Sequence, residues 1–263
     1  MSTRDYSTIS PSARAVLAMR SLSDELPFVR AAAEIVMGRD ALAEEHARLQ
    51  ALVGWQMRLW HFVERYKSID VMLAARPEKI VVELAGGLSL RGLALTQRQA
   101  ITYLDTDLPE MIETKRSVVD QVATGPLAGE LTLRALDALA DGALAAAVDE
   151  LPAGPVAIVN EGLFMYLDDA EKQRLAAAVR GVLAQRGGAW ITADIYLKTP
   201  AQMPPIGQDD KLKHFLTTHR VEENKFESYA AAAKLFTEAG FAIAKREGAS
   251  PIRQTWMLEV AGS

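Results

Sequence analysis

Near residue 79 the rhythm of apolar positions changes from helical to strand-like. Before it, apolar residues recur at helical intervals: Ala13 to Met19 follow the start signal Ser10-Pro11-Ser12, Ser23-Asp24-Glu25 marks another start, and Ala41 to Leu73 carries a long helical pattern. After it, short apolar runs at Ile80 to Leu84, Ala100 to Leu104, Glu130 to Leu136, Val156 to Val159 and Ala189 to Ile195 predict five strands. Helical stripes lie between them, such as Leu175, Val179, Val182 and Leu183 behind Asp168-Asp169. Strands alternating with helices predict a doubly wound α/β fold with a parallel sheet. The ending differs: a helix from Glu227 to Ala239, closed by Gly240, precedes Phe241 to Arg246 and Gln254 to Val260, two runs joined by Gly248-Ala249-Ser250-Pro251. They predict an antiparallel hairpin. Residues 1–78 thus read as a helical cover over the carboxyl edge of the sheet, and residues 79–263 as the α/β part of one compact unit. Within it, the long segment around 197–226, with Pro200, Pro204, Pro205 and apolar Leu212, Phe215 and Leu216, reads as a lid.

The strand ends carry the candidate chemistry. The first strand contains Glu83 and opens into Ala85, Gly86 and Gly87, where missing or small side chains let backbone approach a ligand closely. Ser89 is placed to cap a helix from Leu90 onward, presenting free N–H groups beside that turn. The glycines do not fall as G-x-G-x-x-G, and Glu83 stands where a dinucleotide-binding strand is apolar, so the acid points to a positively charged ligand and a nicotinamide dehydrogenase is disfavoured. The second strand ends in Asp105-Thr106-Asp107-Leu108-Pro109. An acid about 20 residues past the glycine turn can accept from both ribose hydroxyls of an adenosine, with Asp107 the first candidate and Asp105 the alternate. The third strand delivers Asp137 and Ala138, suited to an adenine amino group and ring, and the fourth delivers Asn160-Glu161. Four successive strands thus present an acid at the edge where open α/β sheets bind ligands.

Composition narrows the partners. The chain has 263 residues, 49% of them hydrophobic, enough for one sizeable core, and no apolar run long enough to span a bilayer. Its start lacks an apolar signal core, so a cytoplasmic protein is expected. With no cysteine there is no disulfide, thiolate ligand or cysteine nucleophile. A net charge of −5 without a basic cluster argues against nucleic acid. His46, His61, His214 and His219 include no pair at the i, i+4 spacing of a helical metal site, so no metal is expected.

Three segments, Val82 to Gly92, Thr106 to Lys115 and Asn160 to Leu167, resemble the leucine carboxyl methyltransferase-like family of class I S-adenosylmethionine-dependent methyltransferases, and within it the bacterial polyketide O-methyltransferase branch. The similarity runs over roughly residues 55–200. It implies a Rossmann-like, mostly parallel seven-stranded sheet with the antiparallel hairpin, S-adenosylmethionine as cofactor and S-adenosylhomocysteine as product. It places Gly86 against the cofactor, Asp107 on the ribose, Asp137 and Ala138 beside the adenine and Glu161 near the methionine moiety. An arginine ahead of the first strand pairs with the cofactor carboxylate in this family, and Arg65 is the match, with Arg58 behind it. The family's glycine turn usually carries an Asp-Thr-Arg or similar, where this chain has Ser89-Leu90-Arg91. The resemblance implies an O-methyltransferase for a small, polyketide-like or aromatic molecule. The alternatives are a protein C-terminal carboxyl methyltransferase and a binding module without chemistry. A carboxylate acceptor needs no base; for a hydroxyl, His214, His219 and Tyr166 are the candidate catalytic groups.

Overall fold

The computed structural model describes residues 10–198, 210–248 and 250–262. Four helices come first: α1 (Ser10–Arg20), α2 (Val29–Met37), α3 (Arg39–Gln50) and α4 (Trp55–Ala74). The helical pattern from Ala41 to Leu73 is therefore two helices, broken at Gly54, whose φ of 76° lies in the left-handed region where glycine is at home. Ser23 starts no helix. Its hydroxyl accepts the Glu25 N–H in a local turn, and α2 begins only after Phe28.

The α/β part then runs β1 (Ile80–Leu84), α5 (Arg91–Arg98), β2 (Thr102–Asp107), α6 (Pro109–Val122), β3 (Glu130–Ala135), α7 (Ala143–Asp149), β4 (Val156–Asn160), a 3-10 turn (Phe164–Tyr166), α8 (Asp169–Arg186), β5 (Gly188–Tyr196), α9 (Asp210–Thr218), α10 (Tyr229–Glu238), β6 (Phe241–Glu247) and β7 (Arg253–Val260). The sheet has seven strands in the order β3-β2-β1-β4-β5-β7-β6. Strands β3, β2, β1, β4 and β5 pair in parallel; β7 pairs antiparallel with both β5 and β6. The expected parallel sheet with a C-terminal hairpin is what forms. The second strand extends past Leu104 because Asp105, Thr106 and Asp107 continue the ladder with Leu133, Arg134 and Ala135.

Every residue of β1 and β4 is buried, as near-continuous apolar central strands require when both faces are covered. On one face Val82, Leu84, Ile158 and Trp190 pack with Leu175 and Val179 of α8 and Phe236 of α10. On the other, Val81, Tyr103, Val159 and Ile191 pack with Ile69 and Met72 of α4. A third cluster joins the leading helices, through Leu17, Val29, Leu42 and Val63, to Leu88, Leu90, Leu93, Met111 and Val118 around the glycine turn. The first helices thus reach the carboxyl edge of the sheet. Helix α8 starts on a complete capping box, Asp168 accepting the Glu171 N–H and Glu171 the Asp168 N–H, which explains its sharp onset. Of the expected lid, Pro200, Pro204 and Pro205 lie outside the described residues, as does the Leu212 side chain, while Phe215 and Leu216 are on α9. Among the described residues no helix is long and apolar enough to cross a membrane.

Candidate functional site

The carboxyl ends of β1, β2, β4 and β5 meet below α1 and α4. After Leu84 the chain turns through Ala85 and Gly87, both left-handed with φ of 51° and 53°. Asp107 fastens this turn to the end of β2: Oδ2 accepts the Gly87 N–H at 2.7 Å and Oδ1 the Leu108 N–H at 2.7 Å. Burial raises its pKa, and the two backbone donors oppose that. Gly86 is crowded from beneath. A Cβ there would stand 2.6 Å from Asp105 Oδ1 and 2.8 Å from Lys115 Nζ, a fully buried ion pair. Gly86→Ala should therefore overpack this spot and lower stability by about 1–3 kcal/mol, measurable by urea denaturation. Asp105 faces Lys115, not the open edge, so it is not the ribose alternate; burial raises its carboxyl despite the Lys115 ammonium. Helix α5 begins at Arg91 rather than Leu90, with the Ser89 hydroxyl accepting the Arg91 N–H at 3.3 Å.

Glu161, just past β4, is the centre of the charge cluster. Its Oε1 accepts from Arg20 of α1 and from Arg65 Nε of α4 at 2.8 Å, and its Oε2 from Arg91 Nη2 at 3.0 Å. Burial alone would raise this carboxyl; the Arg20, Arg65 and Arg91 charges outweigh it and hold it well below the usual carboxylate range. Arg91 is itself completely buried and also donates to Glu83 Oε1 at 2.7 Å, Asp70 Oδ1 at 2.8 Å and the Tyr66 carbonyl at 3.2 Å. The Tyr103 hydroxyl donates to Glu83 Oε2 at 2.9 Å. Glu83 is thus sealed inside the protein with both oxygens engaged. This corrects its expected role: the positive charge that Glu83 meets is Arg91, not a ligand. Its absence from the apolar pattern of β1 is explained by the fold's own ion pair.

Asp194, near the end of β5, shapes the loop that carries Glu161 and Tyr166. Its Oδ1 accepts the Gly162 N–H at 2.6 Å, and Oδ2 accepts the Leu163 N–H at 2.8 Å and Asn160 Nδ2 at 2.7 Å. At the far side, Asp137 is exposed, with Oδ1 accepting the Leu139 N–H at 2.9 Å, while Ala138 and Leu139 pack against the core. Tyr166 lies 6.2 Å from the His219 ring and 6.3 Å from Phe215, centroid to centroid, and Phe215 is 4.4 Å from His219. Burial raises the Tyr166 phenol, against a hydrogen bond from Ser12, and lowers His219. His214 is exposed on α9 and takes no part in these three ring contacts. The structure therefore brings together Arg65, Glu161, Asp107 and the glycine turn, and separately Tyr166 with His219. Sequence reasoning missed Arg20, Arg91 and Asp194; an acid in an otherwise apolar strand was the one signal that a buried cation, here Arg91, had to exist.

A model of the leucine carboxyl methyltransferase family matches residues 22–180. Proteins from Mycobacterium sp. strains KMS and JLS, each named "Putative S-adenosyl-L-methionine-dependent methyltransferase", are 27% identical over 189 residues, which is 68% of this chain and 60% of theirs. The chain thus matches about 60% of the length of those relatives. Among solved structures, OxaC in complex with SAH and oxaline superposes with a TM-score of 0.51 at 14% identity, over 73% of this chain and 46% of OxaC. That likeness is one of fold.

Proposed function

This chain belongs to the leucine carboxyl methyltransferase family, and on that premise we propose that it moves a methyl group from S-adenosylmethionine to a carboxylate or hydroxyl oxygen of a small molecule, leaving S-adenosylhomocysteine. One observation supports this most: Arg65 and Glu161, opposite charges in contact, stand at the carboxyl edge beside the Asp107-fastened glycine turn. A nucleoside with a zwitterionic amino-acid tail fits such a set of groups. Arg65 takes the carboxylate, Glu161 the ammonium, Asp107 the ribose hydroxyls, and Asp137 with Ala138 the adenine. When bound, the cofactor supplies an electrophilic methyl group on a positively charged sulfur. Glu161 pairs with Arg20, Arg65 and Arg91; a zwitterionic tail offers a carboxylate to Arg65 and an ammonium to Glu161 in exchange.

The remaining work falls to the acceptor side. A carboxylate is ionised at neutral pH, so the protein needs only to orient it and exclude water. A phenol, with a pKa near ~10, gains from a base. His219, its pKa lowered by burial, is the group at hand as a base, whereas burial raises the Tyr166 phenol and favours it as a donor. We take the acceptor to be a small aromatic or polyketide-like acid or phenol.

Incubation with S-adenosylmethionine and a panel of such acids and phenols, followed by mass spectrometry, should show the gain of one CH2 group. Rates with an acid should be flat above about pH 6, well past a carboxyl pKa near ~4. Rates with a phenol should rise with pH, and His219→Ala should flatten the rise. Methylation of a protein C-terminus with none of the small acceptors modified would overturn the substrate class.

A further inference from the structure

Tyr196 closes β5 and His61 sits one turn before Arg65 on α4, and no role has been given to either. The Tyr196 hydroxyl lies 3.0 Å from Arg65 Nη1 and 2.9 Å from His61 Nε2. A guanidinium can only donate, so the hydroxyl accepts from Arg65 and has its own proton free to give to His61 Nε2. In that arrangement His61 accepts at Nε2 and carries its own proton on Nδ1. Burial, with the charges of Arg65, Arg253 and Arg20, pushes His61 down to about 3, so the ring is neutral at pH 7 and able to accept.

The consequence falls on Arg65. Its Nε is taken by Glu161 and its Nη1 by Tyr196, while its Cζ stands 5.1 Å from the centre of the Phe62 ring. Glu161 is the contact that a ligand carboxylate would replace. Tyr196, at the end of β5, holds a different nitrogen, Nη1, so an exchange at Nε leaves this contact in place. A guanidinium held only by an exchangeable partner could swing about its long side chain; held also at Nη1, it keeps its fork aimed. We propose that Tyr196, itself set by His61, is a positioning residue that fixes the Arg65 guanidinium for the carboxylate of the cofactor's amino-acid tail. This rests on the S-adenosylmethionine site described above.

The test is calorimetric titration of the intact chain with two probes, S-adenosylhomocysteine and 5′-methylthioadenosine, which shares the nucleoside and thioether but lacks the amino-acid tail. Tyr196→Phe keeps the ring in its packing and removes only the hydroxyl. It should weaken S-adenosylhomocysteine about tenfold, the scale of a hydrogen bond to a charged group, and leave 5′-methylthioadenosine as it was. His61→Ala should weaken the first probe in the same direction and add nothing in the Tyr196→Phe background, whereas His61→Gln, which keeps an acceptor, should restore part of the affinity. Equal weakening of both probes would mean general loosening and overturn the proposal, as would Tyr196→Phe with unaltered S-adenosylhomocysteine affinity. If the wild-type chain binds neither probe, the cofactor reading fails and this inference with it, which is a different outcome from wild-type binding that ignores Tyr196.

Discussion

Arg91→Met is expected to lower stability by about 3–5 kcal/mol, the usual result of removing one partner from a buried ion pair. The measurement is a urea unfolding curve with a lower midpoint and an unaltered slope. Arg91 is completely buried; it joins Glu83 of β1, Asp70 of α4 and Glu161 after β4, and its guanidinium lies 4.0 Å from the Tyr66 ring centre. Methionine fills a similar volume but leaves Glu83 with Tyr103 alone and Glu161 with one cation fewer. The pH dependence has a definite sign. The Glu161 carboxyl is depressed in the folded state, burial being outweighed by Arg20, Arg65 and Arg91. Its contribution is therefore present above its unfolded value of about 4.3 and is lost as pH falls toward the folded one. Wild type and Arg91→Met should differ most at neutral pH and converge in acid. A difference that persists unchanged into acid strong enough to protonate Glu161 in the folded state would show that the charge on Glu161 is not what Arg91 stabilises.

The second large effect is on ligand affinity. Asp107→Ala should weaken S-adenosylhomocysteine by well over tenfold, since each hydrogen bond from a ribose hydroxyl to a charged acceptor is worth about 1.5–3 kcal/mol. Asp107 also fastens Gly87, so its loss loosens the turn on which the ligand would lie. Asp105→Ala should behave differently. It strands the buried Lys115 ammonium, so its damage should appear in the unfolding midpoint, with affinity much less altered once folding is restored by lower temperature. The opposite ranking in calorimetry would mean that the ribose does not lie at Asp107.

The strands and their order of use were legible because each apolar run stops at a polar residue at one edge of the sheet. Val156 to Asn160 and Gly188 to Tyr196 are buried on both faces, and nothing but a central strand accommodates such runs. Helix boundaries in the cover were harder to read. Gly54 was the only mark of the break between α3 and α4, and apolar periodicity passes through it unchanged. The site was legible where a single segment supplies both position and chemistry, as with Gly87 and Asp107. It was not legible where partners come from distant elements. Arg91 reads as an ordinary residue at the start of a helix, yet its partners Asp70, Glu83 and Glu161 belong to three other segments. Glu83 stands out as an acid in an apolar strand, but a sequence shows the buried charge and not which cation, here Arg91, folds onto it. His61 and Tyr196, 135 positions apart, carry no local signature at all.

The most direct measurement is calorimetric titration of the unmodified chain and of Arg65→Gln with S-adenosylhomocysteine, with NAD as the second ligand. The expected result is saturable binding of S-adenosylhomocysteine, at least about tenfold weaker in Arg65→Gln because a charged hydrogen-bond donor to the carboxylate is lost, and no binding of NAD. Binding of NAD, or S-adenosylhomocysteine binding indifferent to Arg65, would contradict it.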